Sequence, residues 1–172
     1  IAVSRAQGLK MKTIAYDPHM PRDIAEKNGV ELVSLEELAK RADYISVHVP
    51  LTKETRNLVS RQFFATMKND AMFIDCARGG VCDEEALYEA LENKEIAGAA
   101  LDVFAKEPTT LENCPLLKYD NFICTPHLGA STSEAQENVA VAIAEQVADY
   151  LIKGSVTNAV NAAKPIIDRM DE

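Results

Sequence analysis

Ala71-Met72-Phe73-Ile74-Asp75-Cys76-Ala77-Arg78-Gly79-Gly80-Val81-Cys82-Asp83-Glu84-Glu85-Ala86-Leu87 carries the change of period on which the fold turns. The apolar run from Ala71 to Cys76 has the length and composition of a buried strand, and Gly79-Gly80 interrupts it. A helical pattern then runs from Glu84 to Asn93. Asp83 stands at its N-cap, and Glu84 and Glu85 occupy the first turn, where a helix N-terminus favours negative charge. A strand that hands over directly to a helix is half of a βαβ unit, which calls for a parallel sheet covered on both faces.

The same alternation continues in both directions. Strands are expected at Thr13 to Tyr16, Tyr44 to Val49, Gly98 to Val103 and Asn121 to Cys124, so that with Ala71 to Cys76 five is the minimum. Helical stretches are expected at Pro21 to Asn28, Leu35 to Arg41, Ser60 to Thr66, and from about Ser131 to Ile152. The last carries Val139, Ile143, Val147, Tyr150 and Leu151 at helical spacing, and Gly154 after Lys153 is a C-cap signal. The expected class is α/β, a Rossmann-like doubly wound sheet. No repeat or low-complexity block interrupts it, so residues 1–153 read as one domain and residues 154–172 as an exit segment.

Composition sets the outer limits. The chain has 172 residues, 47% hydrophobic and 26% charged, which suits one domain with one packed core. At this size roughly 70% of the unfolded surface can be buried, so neither a metal nor a disulfide is required. Cys76, Cys82, Cys114 and Cys124 form no Cys-x-x-Cys pair, and three lie in or beside apolar runs. That pattern fits a reducing, cytoplasmic setting. No run is long and apolar enough for a bilayer, and the first residues lack the pattern of a signal peptide. The formal net charge is −9, and no basic stripe is present to follow a phosphate backbone, which argues against a nucleic-acid partner.

Functional groups of an open parallel sheet gather where its strands end. The first strand ends at Asp17-Pro18, where a carboxylate can take the ribose hydroxyls of an adenine nucleotide and repel a 2′-phosphate, favouring NAD; a plain Asp-Pro turn is the alternative. The second ends at His48-Val49-Pro50, which also fits a strand simply stopped by proline. The third delivers Arg78 ahead of two glycines. Its planar fork can hold a carboxylate, and the glycines permit close approach of a ligand; a salt bridge to a neighbouring helix is the alternative. The fourth places Asp102 in an apolar setting, where a carboxylate needs a partner or a role, and Glu107-Pro108 follows it. The fifth ends near His127. A histidine beside a glutamate is the arrangement of acid–base chemistry at neutral pH. Each of these residues alone has an ordinary structural explanation, but Arg78, Glu107 and His127 at the ends of successive strands form a constellation.

The segments Val47-His48-Val49-Pro50-Leu51-Thr52, Cys76-Ala77-Arg78-Gly79-Gly80, Ala99-Ala100-Leu101-Asp102-Val103-Phe104 with Glu107-Pro108, and Thr125-Pro126-His127-Leu128-Gly129-Ala130 resemble, in order and spacing, the signatures of the D-isomer-specific 2-hydroxyacid dehydrogenase family. The resemblance runs from about Ile1 to Val160. His127-Leu128-Gly129-Ala130-Ser131-Thr132 with Glu134-Ala135-Gln136 is most similar to the D-3-phosphoglycerate dehydrogenase branch; glyoxylate, hydroxypyruvate and D-lactate enzymes are its neighbours. The resemblance implies that Arg78 binds the substrate carboxylate and that His127 exchanges the hydroxyl proton with its ring held by Glu107. It further implies that Asp17 and Pro18 meet the adenosine ribose of NAD, that His48, Val49 and Pro50 line the adenine side, and that Cys76, Ala77, Asp102, Gly129 and Ala130 surround the nicotinamide. No metal is implied.

Two differences from the family pattern bear on activity. The first strand and the glycine turn that seats a pyrophosphate on a helix N-terminus would stand ahead of Ile1-to-Leu9, which reads as the helix after that turn. The family's substrate domain is also built mainly from residues N-terminal to this region. The 172-residue chain is therefore expected to bind NAD poorly by itself. A dimer through nucleotide domains is implied by analogy, with the helix from Ser131 to Ile152 as a possible contributor; packing of that helix on its own sheet is the alternative. A nucleotide-sensing, corepressor-like binding protein, which keeps the same constellation, is the main alternative of another class, and a non-catalytic domain is a third.

Overall fold

The computed structural model describes residues 1–129 and 131–159, and it divides into two compact units, Ile1–Pro126 and a second beginning at His127. Within the first unit the order is α1 (Ala2–Gly8), β1 (Ile14–Ala15), α2 (Arg22–Lys27), β2 (Glu31–Leu32), α3 (Leu35–Arg41), β3 (Tyr44–Val47), α4 (Arg61–Phe64), β4 (Met72–Asp75), α5 (Glu84–Glu92), β5 (Gly98–Leu101), a 3-10 turn (Pro115–Lys118) and β6 (Phe122–Cys124). Every strand pairing is parallel. The strands form two sheets, β1-β2 and β3-β4-β5-β6. The alternation of strand and helix thus produces the doubly wound, Rossmann-like α/β arrangement expected of it.

Register explains where the sheet presents its chemistry. Val47 pairs with Asp75, Asp75 with Leu101, and Leu101 with Cys124, so the carboxyl ends of β3 to β6 lie level. The ladder extends one step further, because the amide of Asp102 donates to the carbonyl of Asp75 at 2.9 Å and the amide of Thr125 to that of Leu101 at 3.1 Å. Whatever follows each strand is therefore delivered to one edge.

The core sits on and between β3 to β6. Phe64, Phe73, Leu87, Ile96 and Leu116 are almost wholly buried, and Phe64 meets Phe73 edge to face with ring centroids 5.3 Å apart. Fully burying such side chains stabilises the fold by roughly 1.5–3 kcal/mol each. Local signals set the helices that cover them. α3 starts at a capping box in which the hydroxyl of Ser34 accepts from the amide of Glu37 and the Glu37 carboxylate accepts from the amide of Ser34. α5 starts at Asp83, whose Oδ1 accepts from the amides of Glu85 and Ala86, both at 3.1 Å.

Several expectations need adjusting at their ends. β5 stops at Leu101, so Asp102 lies just past the strand and not inside it. β2, only two residues long, was not expected, because a pairing that short leaves no periodic trace in the sequence. Two of the four thiols, Cys82 and Cys114, are buried, whereas Cys76 and Cys124 are exposed, and none is in a disulfide. No helix among the described residues is long and apolar enough to cross a membrane.

The second unit holds α6 (Ser133–Lys153), which Thr132 caps by accepting from the amide of Ala135 at 3.1 Å and which Gly154 ends in a left-handed conformation. No residue of α6 is buried; Val139, Ile143, Val147 and Tyr150 are all more than half exposed. Residues 155–159 form no strand. Val160 and the remainder of the expected exit segment lie outside the described residues.

Candidate functional site

The edge where β3, β4 and β5 end collects most of the chemistry of the first unit. Asp75, the last residue of β4, is buried, and its Oδ1 accepts from the amide of Ala77 at 2.8 Å, which turns the chain out of the strand. Burial raises its pKa above the ordinary carboxylate range; the amide of Ala77 and the nearby His48 oppose that shift. Cys76 follows; although the residue is exposed, partial desolvation of its thiol and the carboxylates of Asp102 and Asp75 push it up. Ala77 is half-buried and Arg78 exposed.

Arg78 is poised rather than used. Its Nη1 donates to the carbonyl of Ala77 at 2.6 Å, and it makes no ion pair among the described residues. The salt bridge that was the alternative for this residue is not formed. Other surface cations do take acidic partners: Arg41 pairs with Glu31, Lys68 with Asp43, and Arg61 with Glu89. A guanidinium without a carboxylate, at the edge where strands end, suits an anionic ligand.

Gly79 behaves differently from the expectation that the glycines admit a ligand. A Cβ built there would lie 1.9 Å from the carbonyl oxygen of Phe104, so the backbone that approaches Gly79 is the chain's own. Gly80, at φ +87°, occupies a conformation that side chains resist.

The loop after β5 carries Asp102 and Glu107. Asp102 is buried and accepts from the hydroxyl of Thr125 at 2.5 Å, which supplies the partner that its apolar setting demands. Glu107 Oε1 accepts from the amide of Phe104 at 3.0 Å, folding the loop back on itself. Because Phe104 also abuts Gly79, the Arg78-Gly79 turn and the Glu107 loop share one junction.

Asp17 follows β1. Its Oδ1 accepts from the amide of His19 at 2.8 Å, so the Asp-Pro turn forms; its other oxygen takes no hydrogen bond among the described residues. His48 Nε2 is 2.9 Å from the hydroxyl of Ser46, and the carbonyl of Pro50 accepts from Thr55 at 2.6 Å. Val49 is half-buried beside them. Asp17 offers an exposed carboxylate with a spare acceptor, the chemistry that a ribose diol takes, while Val49 packs against the core and Pro50 is exposed. Pro18 is exposed beside Asp17. The helix α1 has Ile1 at its N-cap and no side-chain cap, so these residues show no glycine cradle for a pyrophosphate.

His127 opens the second unit. It is half-buried and adopts φ 54°, a left-handed conformation costly for a residue with a Cβ. Its carbonyl accepts from the hydroxyl of Ser131 at 2.9 Å, and the carbonyl of Leu128 accepts from the amide of Ser131 at 3.1 Å, so a tight turn leads towards α6. Gly129 is exposed in that turn, and Ala130 lies outside the described residues. No cluster of potential metal ligands occurs among the described residues.

Three functional-looking side chains escaped the sequence reasoning. Asp75 could have been found by the argument applied to Asp102, since both are carboxylates in apolar runs of the sequence. Thr125 and Glu84, which bonds the amide of Ala105 at 2.5 Å, could not, because their partners are more than twenty residues away.

Comparison with known proteins agrees with this architecture. Residues 2–129 match the family model described as D-isomer specific 2-hydroxyacid dehydrogenase, NAD binding domain. A D-3-phosphoglycerate dehydrogenase of Methanocaldococcus jannaschii is 50% identical over 160 residues, covering 92% of this chain but 30% of the relative. A hydroxypyruvate reductase of Thermotoga maritima is 46% identical over 144 residues, covering 83% of this chain and 46% of that protein. Among solved structures, the D-lactate dehydrogenase of Aquifex aeolicus complexed with NAD and lactic acid superposes with a TM-score of 0.77 at 30% identity, covering 92% of this chain and 54% of the other. The chain thus spans between about a third and a half of the length of these relatives. It belongs to the D-isomer specific 2-hydroxyacid dehydrogenase family, to whose NAD-binding domain its residues 2–129 correspond.

Proposed function

We propose that the protein is an NAD-dependent D-3-phosphoglycerate dehydrogenase, which forms 3-phosphohydroxypyruvate in serine biosynthesis. The observation that carries this reading is Arg78: a guanidinium without an acidic partner, at the junction that also holds Glu107, in a chain 50% identical to an enzyme of that name. NAD, when bound, would supply the hydride acceptor for this oxidation. Arg78 would hold the substrate carboxylate bidentately and polarise the carbonyl in the reverse reaction. His127 would take the hydroxyl proton during oxidation and return it during reduction, and Glu107 would hold the ring and stabilise its protonated form. Asp17, with Pro18 beside it, would bind the adenosine ribose, and His48, Val49 and Pro50 would line the adenine side. Cys76, Ala77, Asp102, Gly129 and Ala130 would border the nicotinamide.

The test is activity of the protein expressed from its natural reading frame. Turnover of D-3-phosphoglycerate with NAD should exceed turnover of D-lactate or D-glycerate, and His127→Ala should lower kcat by on the order of 10²-fold or more. Preference for hydroxypyruvate or glyoxylate as the oxo acid would favour instead the activity named for the Thermotoga maritima relative. Full activity of His127→Ala would remove the acid–base assignment and leave a nucleotide-binding role. A cytoplasmic location and a homodimer belong to the same proposal; the exposed Val139, Ile143 and Val147 of α6 offer apolar surface for such a contact, which sedimentation would show.

A further inference from the structure

We propose that Glu84 is a positioning residue for the acid–base machinery: its carboxylate, reaching out of the first turn of α5, fixes the loop after β5 in the conformation that presents Glu107. This rests on the reading of Glu107 as the partner of His127.

The peptide between Phe104 and Ala105 is held from three directions. The amide of Ala105 donates to Glu84 Oε1 at 2.5 Å, and the neighbouring amide of Phe104 donates to Glu107 Oε1 at 3.0 Å. The carbonyl of Phe104 presses on Gly79 so closely that a Cβ there would lie 1.9 Å from it. Two consecutive amides are thus taken by two carboxylates, one from α5 and one from the loop itself, while the third side is closed by the turn that carries Arg78.

Glu84 is not needed where its position would normally use it. Asp83 already caps α5 through the amides of Glu85 and Ala86, which frees the Glu84 side chain to cross to a loop 21 residues away. The placement is also costly for a carboxylate. Glu84 is half-buried, and its pKa is raised first by burial, then by the charges of Asp83 and Glu107; the amide of Ala105 acts the other way. Asp75 from β4 and the thiols of Cys82 and Cys114 face the same charge, since each is pushed up in part by Glu84. A neutral acceptor would hold the loop with less opposition. A negative group in this place does two things: it fixes the loop, and it raises the proton affinity of Asp75, Cys82 and Cys114.

These two effects separate in two variants, assayed in the protein from its natural reading frame. Glu84→Gln keeps an oxygen for the Ala105 amide and removes the charge. It should retain kcat within about twofold and move the pH profile of kcat/KM to lower pH by about half a unit, since nearby acids release their protons more easily without the Glu84 charge. Glu84→Ala removes both and should lower kcat on the order of ten- to a hundredfold, with KM for NAD changed less than about twofold. Glu107→Gln is measured alongside. If Glu107→Gln is impaired while Glu84→Ala is not, the proposal falls and the acid–base reading stands. If Glu107→Gln keeps full kcat, the acid–base reading falls and takes the role of Glu84 with it. Should Glu84→Ala fail to fold, the Glu84→Gln profile decides: an unshifted profile overturns the proposal, because a purely structural acceptor would leave it in place.

Discussion

The four-stranded and two-stranded sheets of the first unit are made by the same strand-helix rhythm but are held together to very different degrees. The β3-to-β6 sheet carries Phe64, Phe73, Leu87, Ile96 and Leu116 in its core, with Asp75 and Asp102 buried at its edge. Of residues 1–33 only Ala25 and Val30 are buried; α1 buries none, and Leu9 and Ile24 are 77% and 44% exposed. Arg78 and Glu107, the proposed reacting groups, therefore follow strands of the well-packed sheet, and Asp17, the proposed ribose ligand, follows a strand of the thin one. Catalytic geometry needs tight placement, whereas a ribose contact tolerates a looser support.

Core substitutions should break this contrast most strongly. Phe73→Ala opens a cavity among fully buried neighbours and should cost about 3–5 kcal/mol, read as a lowered denaturant midpoint; a cost below about 1 kcal/mol would mean the core is not where the buried residues place it. Asp17→Ala comes next. It should weaken NAD binding roughly tenfold and narrow the preference for NAD over NADP while leaving stability within about 0.5 kcal/mol. Unchanged cofactor selectivity would return Asp17 to a turn residue only. Ile24→Ala, on the thin sheet, should cost less than about 1 kcal/mol.

The smallest effect concerns Asp75. Its pKa is raised in the folded chain, so the native state binds the proton more tightly than the unfolded one. Stability from this group is complete below the ordinary carboxylate pKa and is lost as pH rises through the raised value. Asp75→Asn keeps an acceptor for the Ala77 amide, so its Tm should exceed that of the wild type near neutral pH, and the difference should close as the solution is acidified. A difference that widens on acidification would show that the carboxylate is stabilised in its charged form.

How far these features were legible in the sequence follows from the range of the interactions behind them. α3 spans Leu35 to Arg41 as expected, and the Ser34–Glu37 capping box that the structure adds at its start is a local device. The C-terminus of α6 was given by Gly154, again a local signal, although its start moved from about Ser131 to Ser133 behind the Thr132 cap. Strands β3 to β6 lie where expected but are shorter: Asp102 makes the last ladder bond and Val103 follows it while remaining buried, so burial alone does not mark the strand end. The residues at the strand ends could be nominated from order alone. Their ties could not: Thr125 to Asp102, Glu84 to Ala105 and Gly79 against Phe104 join positions whose spacing has no period.

The most direct test is a crystal structure of the protein from its natural reading frame with NADH and a non-reducible oxo-acid analogue. Both oxygens of the ligand carboxylate should meet the guanidinium of Arg78, one imidazole nitrogen of His127 should lie roughly 3 Å from the 2-oxygen, and Glu107 should accept from the other. A ligand carboxylate bound elsewhere, with the imidazole facing away from it and Glu107 engaging only the amide of Phe104, would contradict the account.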